Sequence, residues 1–242
     1  MMSFLLPLLA SLANPAAQPS AQEWLVAADA SRNAFDEAII SARASQVSGG
    51  NVTGSADFDI YTKGRDKGLI IFKGGKNSGR KVLTAGDRMW LLVPGATHPV
   101  PITPNQRLLG GASMADVARL RFAEDYTATV RPASETVNGE TCKVLDLTAK
   151  SNKIAYPKVV LWMDEAQKLP VRVLFSLASG REAKEVTFIK FGKMSGKTVV
   201  AEMEIKDLLA SESGSITRLE YRDFLPAKLD DKIFTPEGAQ GL

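Results

Sequence analysis

Few residues in this sequence can do acid, base, nucleophilic or metal chemistry. His98 is the single histidine, set between Thr97 and Pro99 in a proline-punctuated stretch, and it reads as a surface loop residue. Cys142 is the single cysteine, so an internal disulfide and a Cys-x-x-Cys redox pair are both excluded. It lies where the turn Asn138-Gly139 leads into an apolar run, the setting of a small buried hydrophobe. A metal site built on several His or Cys ligands cannot be assembled. The acidic pairs Asp230-Asp231 and Glu202 with Glu204 fall on turns or wet strand faces, where solvation explains them, although paired acids in a closed cleft could do acid/base work. Neither the Gly-x-Ser-x-Gly elbow nor the phosphate-binding loop occurs, and Gly74-Gly-Lys-Asn-Ser-Gly79 has turn spacing. No cofactor is expected.

What the chain has in quantity is apolar surface on residues of alternating spacing. Phe58, Ile60, Ile70, Phe72, Met89, Trp90, Leu92, Trp162 and Phe175 are the candidates for the wall of a ligand cavity. Most residues of this kind form the ordinary core of a domain. The case for a cavity is geometric: a barrel of many strands that closes only partly keeps an interior that its own side chains do not fill. A hydrocarbon chain suits such an interior, because each buried CH₂ is worth about 0.8 kcal/mol and roughly sixteen carbons supply on the order of 10 kcal/mol before ordering costs.

The elements that must carry these residues are mostly strands. Glu23 to Arg32 has near-helical spacing and predicts one short amphipathic helix. From Glu37 the period becomes two, and reversals at Ser48-Gly-Gly-Asn51, Lys63-Gly-Arg-Asp66, Gly86-Asp87, Asn138-Gly139, Ser179-Gly180, Ser195-Gly196 and Ser213-Gly214 punctuate the rest of the chain. About eleven strands linked mainly as hairpins predict a mainly β, antiparallel meander. Leu69 to Phe72, Met89 to Val93 and Val159 to Met163 are apolar on both faces, so something must cover the second face. Lys197 to Ile205 alternates cleanly and is expected at an exposed flank. Ser113 to Phe122 predicts a short helix with Ser113 as N-cap, presenting Met114, Val117 and Leu120 as an apolar stripe. Such a helix could close over a cavity or pack permanently on the barrel.

Bulk properties narrow the function further. The net charge is +3, with basic residues spread along the chain, so there is no nucleic-acid footprint. Residues 1–22 carry no charge and run from an apolar Phe4 to Ala10 into small residues, predicting a secretory signal cut near Ala17 or Ala21. That apolar core is shorter than the roughly 20 residues that span a bilayer. The expectation is a leader over 1–22 and one exported domain over 23–242.

The order of motifs carries a resemblance. Arg32-Asn-Ala-Phe-Asp36, Gly86-Asp-Arg-Met-Trp-Leu-Leu-Val-Pro94, Gly110-Gly-Ala-Ser-Met114, Glu124-Asp-Tyr126 and Leu161-Trp-Met-Asp-Glu-Ala-Gln-Lys-Leu-Pro170 succeed one another as in the outer-membrane lipoprotein-sorting proteins, relatives of the periplasmic carrier LolA. This family resemblance covers nearly the whole chain after the leader. It implies a half-open antiparallel β-barrel with an N-terminal helix and a short helical lid; with so few groups able to do chemistry, no enzymatic activity is expected. It implies a periplasmic carrier of lipoprotein acyl chains or lipid, loaded by an inner-membrane transporter and unloaded to an outer-membrane acceptor. In that family a basic residue at the end of an early strand holds the lid, a role that falls here on Lys63 or Arg65. Phe234 in the closing segment would plug one end of the barrel. Two other readings use the same scaffold: an envelope-stress or lipid sensor, and an enzyme that shapes a hydrophobic substrate.

Overall fold

The computed structural model describes residues 19–103, 107–109, 112–113, 121–210 and 215–242. Helix α1 (Ala21–Arg32) starts on a capping box: Ser20 Oγ accepts from Glu23 N, and the Glu23 carboxylate accepts from Ser20 N at 2.6 Å. Its buried face is Trp24, Leu25, Ala28 and Ser31. The first run of strands is β1 (Glu37–Ser48), β2 (Asn51–Lys63), β3 (Lys67–Lys73), β4 (Lys81–Ala85), β5 (Arg88–Leu92) and β6 (Val100–Ile102). A small ribbon comes next, β7 (Arg107–Leu109) with β8 (Ala112–Ser113), and then a single helical turn, Phe122–Asp125. The second run is β9 (Tyr126–Val130), β10 (Glu135–Val137), β11 (Glu140–Ala149), β12 (Lys158–Asp164), β13 (Pro170–Ser176), β14 (Glu182–Met194), β15 (Lys197–Asp207) and β16 (Ile216–Pro226). A 3₁₀ turn (Asp231–Phe234) and the short helix Pro236–Gln240 close the chain.

All strands but β7 and β8 form one 14-stranded antiparallel sheet in the order β10-β11-β12-β13-β14-β15-β16-β1-β2-β3-β4-β5-β6, with β9 alongside β10 on the edge of β11. The sheet is not closed. It consists of two sequential meanders joined at one seam, where β1 pairs β16 from Ala38↔Pro226 to Val47↔Ile216. The hairpins have the turn chemistry their residues dictate. Asn138-Gly139 and Ser195-Gly196 place both central residues at positive φ, the type I′ pattern, whereas at Gly86-Asp87 only the glycine does.

Two ladders stop short of their strands' ends. β13 accompanies β14 only over Glu182–Thr187, and β16 accompanies β15 only over Glu202–Lys206. Beyond those points β14 and β15 pair with each other alone, up to Met194↔Lys197, as a two-stranded arm. Between the arm and the last residues of β16 the sheet forks. Across the fork β16 carries a bulge at Arg222, because Tyr221 pairs Ala42 and Asp223 already pairs Ser41. The extra residue brings Tyr221 and Phe224 to the same face.

That inner face holds the main core, including Phe58, Phe72, Leu161, Phe175 and Leu219, with Trp24, Leu25 and Ala28 of α1 set against it. The apolar second faces are covered as the sequence requires, but by different means. Over β3 to β5, Leu69, Leu83 and Leu92 pack under Phe234 and Ala239 of the closing segment. Phe234 therefore packs on the outside of the sheet and does not plug a barrel end. On β11 to β13, Cys142, Val144, Trp162 and Val171 form a separate outer cluster.

Two further expectations are revised. There are sixteen strands among the described residues, the additional ones being short edge pieces such as β6, where Pro101 cannot extend the ladder. β15 sits inside the sheet against α1, not at a flank. Ser113 ends β8, paired with Arg107, while the helix expected after it, with Met114, Val117 and Leu120, lies outside the described residues.

Candidate functional site

On the inner face, around the seam between β1 and β16, the sheet encloses a cavity of about 410 Å³. This falls within the range of roughly 300–1,000 Å³ that holds one drug-sized ligand. Its walls are Ile40 of β1, Ile60 and Thr62 of β2, Ile70 of β3, Val82 and Thr84 of β4, Val200 and Met203 of β15, and Tyr221 and Phe224 of β16. Cross-strand register produces this lining: Ile40↔Ile60, Ile60↔Ile70 and Ile70↔Val82 are directly opposed, so their side chains share one face. Phe35, Phe224 and Tyr221 make an aromatic row along the fork, with ring centroids 5.9 Å and 6.2 Å apart.

The mouth is polar. Arg32, Asn33 and Asp36 of the α1–β1 junction, Arg65 to Lys67 of the β2–β3 turn, Asp87 of the β4–β5 turn, and Arg121, Glu124 and Asp125 surround it. These turns are latched together. Arg65 forms an ion pair with Glu124, and Arg121 donates back to the Gly64 and Arg65 carbonyls at 3.1 Å and 3.2 Å. From the other side, the Asp29 carboxylate of α1 accepts from Phe122 N and Ala123 N, each at 2.9 Å, capping the helical turn. Burial pushes the Asp29 carboxyl above its ordinary range, and those two N–H groups hold it back.

Among the expected wall residues, Ile60 and Ile70 line the cavity. Phe58, Phe72, Met89 and Phe175 share its face but sit in the filled core beside it. The Phe58 and Phe72 rings are 5.9 Å apart, and Phe175 packs on Tyr156 at 4.7 Å. Space there is nearly exhausted: the gap bounded by Phe122, Phe175, Phe188 and Met203 measures about 10 Å³. Trp90 and Leu92 point to the outer face beneath the closing segment, because they alternate with Met89 and Leu91. Trp162 is also on the outer face, where its Nε1 donates to Glu135 at 2.8 Å and the Arg172 guanidinium lies 4.8 Å from its ring.

The two gate candidates separate. Arg65 reaches the segment beyond the lid stretch, through Glu124. Lys63 turns to the closing segment, 2.9 Å from Asp231 and 3.4 Å from Glu37, and donates to the Leu229 carbonyl at 2.6 Å. Val82, Val200, Tyr221 and Phe224 were not singled out by the sequence. Alternation assigns a face, but only the bulge at Arg222 turns both β16 rings inward, and bulges leave no composition signal. Phe35 lay in a recognised motif without an assigned role.

The residues of ordinary chemistry lie elsewhere. His98 is exposed and not on the cavity wall, and burial raises the Cys142 thiol pKa, which disfavours the thiolate. Among the described residues, no group of three or more His, Cys, Asp or Glu could hold a metal ion, and no helix is long and apolar enough to cross a membrane.

A family described as "Uncharacterized protein" matches residues 64–238. Among solved structures, a LolA superfamily protein from Nitrosomonas europaea superposes with a TM-score of 0.81 at 26% identity, covering 90% of this chain and 99% of that one. The chain belongs to the family matched over residues 64–238, and its fold is LolA-like. Two more distant neighbours of this LolA-like protein share its fold. One is a putative outer membrane lipoprotein-sorting protein domain from Vibrio parahaemolyticus, with a TM-score of 0.75 and 19% identity over 91% of this chain and 98% of that one. The other is a DUF1329 family protein from Desulfovibrio piger, with a TM-score of 0.76 and 21% identity over 90% of this chain and 96% of that one. No curated protein matches this sequence.

Proposed function

We propose that this LolA-like protein is a carrier that shelters the acyl chain of a lipid or lipoprotein in the cavity around Ile60 and Ile70 and moves it between the membranes of the cell envelope. The observation that carries the reading is the hollow itself. Apolar side chains from six strands face a space that none of them fills, and hydrocarbon is the occupant that suits that part of the wall. Enclosing about ten CH₂ groups would supply roughly 8 kcal/mol before ordering costs. The polar mouth would hold the headgroup or the polypeptide of the cargo in water. An inner-membrane transporter as donor and an outer-membrane acceptor complete the scheme. Export would use the leader within residues 1–22. Cleavage at Ala17 leaves the Ser20 capping box of α1 intact, whereas cleavage at Ala21 would remove it.

The test is titration of a fluorescent fatty-acid probe into protein stripped of lipid. Binding is expected, and Ile70→Trp, which puts an indole into the hollow, should weaken it by at least about tenfold, or about 1.4 kcal/mol, while the far-ultraviolet spectrum stays that of the wild type. Absence of probe binding, or a folded Ile70→Trp protein that binds as the wild type does, would sink the carrier reading.

A further inference from the structure

The arm of β14 and β15 is unlike the rest of the sheet. Over residues 188–201 its backbone ladder joins only its own two strands. This segment, Phe-Ile-Lys-Phe-Gly-Lys-Met-Ser-Gly-Lys-Thr-Val-Val-Ala, has three lysines and no acid. Two register shifts between Phe188 and Phe191 turn Ile189 out of the ladder, where it is 48% exposed. Leu225, on the β16 side of the fork, is 60% exposed. The acid opposite Lys190 in the register, Glu202, is engaged by Arg218 at 3.2 Å, and Lys193 Nζ donates to Thr198 Oγ1 at 2.7 Å.

The arm also frames the cavity. Val200 is on its inner side, and Lys197 Nζ donates to the Ala34 carbonyl at 2.6 Å and lies 5.0 Å from the Phe35 ring. The aromatic row of Phe35, Phe224 and Tyr221 thus starts at the fork and runs into the hollow. Exposed aliphatic side chains among lysines, ahead of aromatic rings, match an anionic membrane surface: lysines meet the headgroup phosphates and Ile189 and Leu225 enter the interfacial layer.

We propose that the β14–β15 arm is a docking element for anionic lipid membranes, and that the fork beside it is the side door through which a hydrocarbon chain passes between membrane and cavity. The side-door half rests on the carrier reading; the docking half does not.

The experiment is co-sedimentation of the whole protein with vesicles of phosphatidylglycerol and phosphatidylcholine, run beside the fatty-acid titration. Wild type should pellet with the mixed vesicles, stay in solution over pure phosphatidylcholine, and be released as salt rises from about 50 mM to about 500 mM. The double variant Lys190→Glu, Lys193→Glu should lose vesicle binding by about tenfold or more, with unchanged melting temperature and unchanged binding of the soluble probe. Wild type that remains in solution over anionic vesicles overturns the proposal and leaves the lysines to an acidic protein partner. A double variant that pellets as well as wild type overturns it too. Arm-dependent pelleting without probe binding supports the docking surface and removes the side door together with the carrier reading.

Discussion

At the residue scale, neighbours on one strand face have different jobs. Phe58 and Ile60 are two positions apart on β2 and both point inward, yet Phe58 is 1% exposed against Phe72 while Ile60 borders the hollow. Phe58→Ala should therefore destabilise the protein by about 3–5 kcal/mol, read from chemical denaturation, because its cavity opens inside packed core. The Arg65–Glu124 pair is exposed and worth at most about 1 kcal/mol. Arg65→Leu should speed release of a bound acyl probe by no more than about fivefold in stopped-flow exchange. Arg121→Met, which removes two bonds to carbonyls, should have the larger effect. An order with Arg65→Leu fastest would show that the ion pair, not the Arg121 clamp, holds the mouth. Which inward residues meet space and which meet other residues was not legible in the sequence. Alternation at Phe58 and Ile60 is identical, and the difference arises only from where Phe175, Tyr156 and α1 stop filling the interior.

At the element scale, the closing segment is held by charge as well as by Phe234. Asp231 accepts from Lys63 and Lys67, which hold its carboxyl below the usual range, and the Leu229 N–H does the same for Glu37. A depressed carboxyl contributes stability above its unfolded pKa and loses it as pH falls through the folded value. Attachment of residues 229–240 should thus be intact at neutral pH and weaken below about pH 4. Hydrogen exchange corrected for intrinsic rates should show those amides losing protection in acid before the amides of β1. Equal protection loss in both would contradict the linkage. Lys81, whose pKa burial lowers, donates to the Ala239 carbonyl at 2.7 Å and to the Gln240 carbonyl at 3.5 Å, at the end of the last helix. Lys81→Ala, by stranding those carbonyls, should cost about 1–3 kcal/mol in denaturant unfolding. The hairpins were legible because Gly and Asn at positive φ mark them locally. The cover over β3 to β5 was legible only as a need: strands apolar on both faces require one, but nothing local says that the chain returns from Leu229 to supply it.

At the scale of the molecule, a ligand that binds only the folded state must raise its melting temperature. Free acyl probe at about one hundred times its dissociation constant adds about 2.7 kcal/mol. For a chain of this size that is roughly 5–10 °C, measurable by calorimetry. An unchanged melting temperature at saturation would exclude binding to the native fold.

The seam between β1 and β16 has its own consequence. Ala38 lies opposite Pro226 and Val47 opposite Ile216, so the middle of the sheet is zipped by partners far apart in sequence, while each meander needs only its neighbours. Each half can assemble early and then wait, with one long strand bare on its flank, for the other to arrive. Until the two halves meet, both bare flanks invite association with other chains, so refolding yield should fall as protein concentration rises.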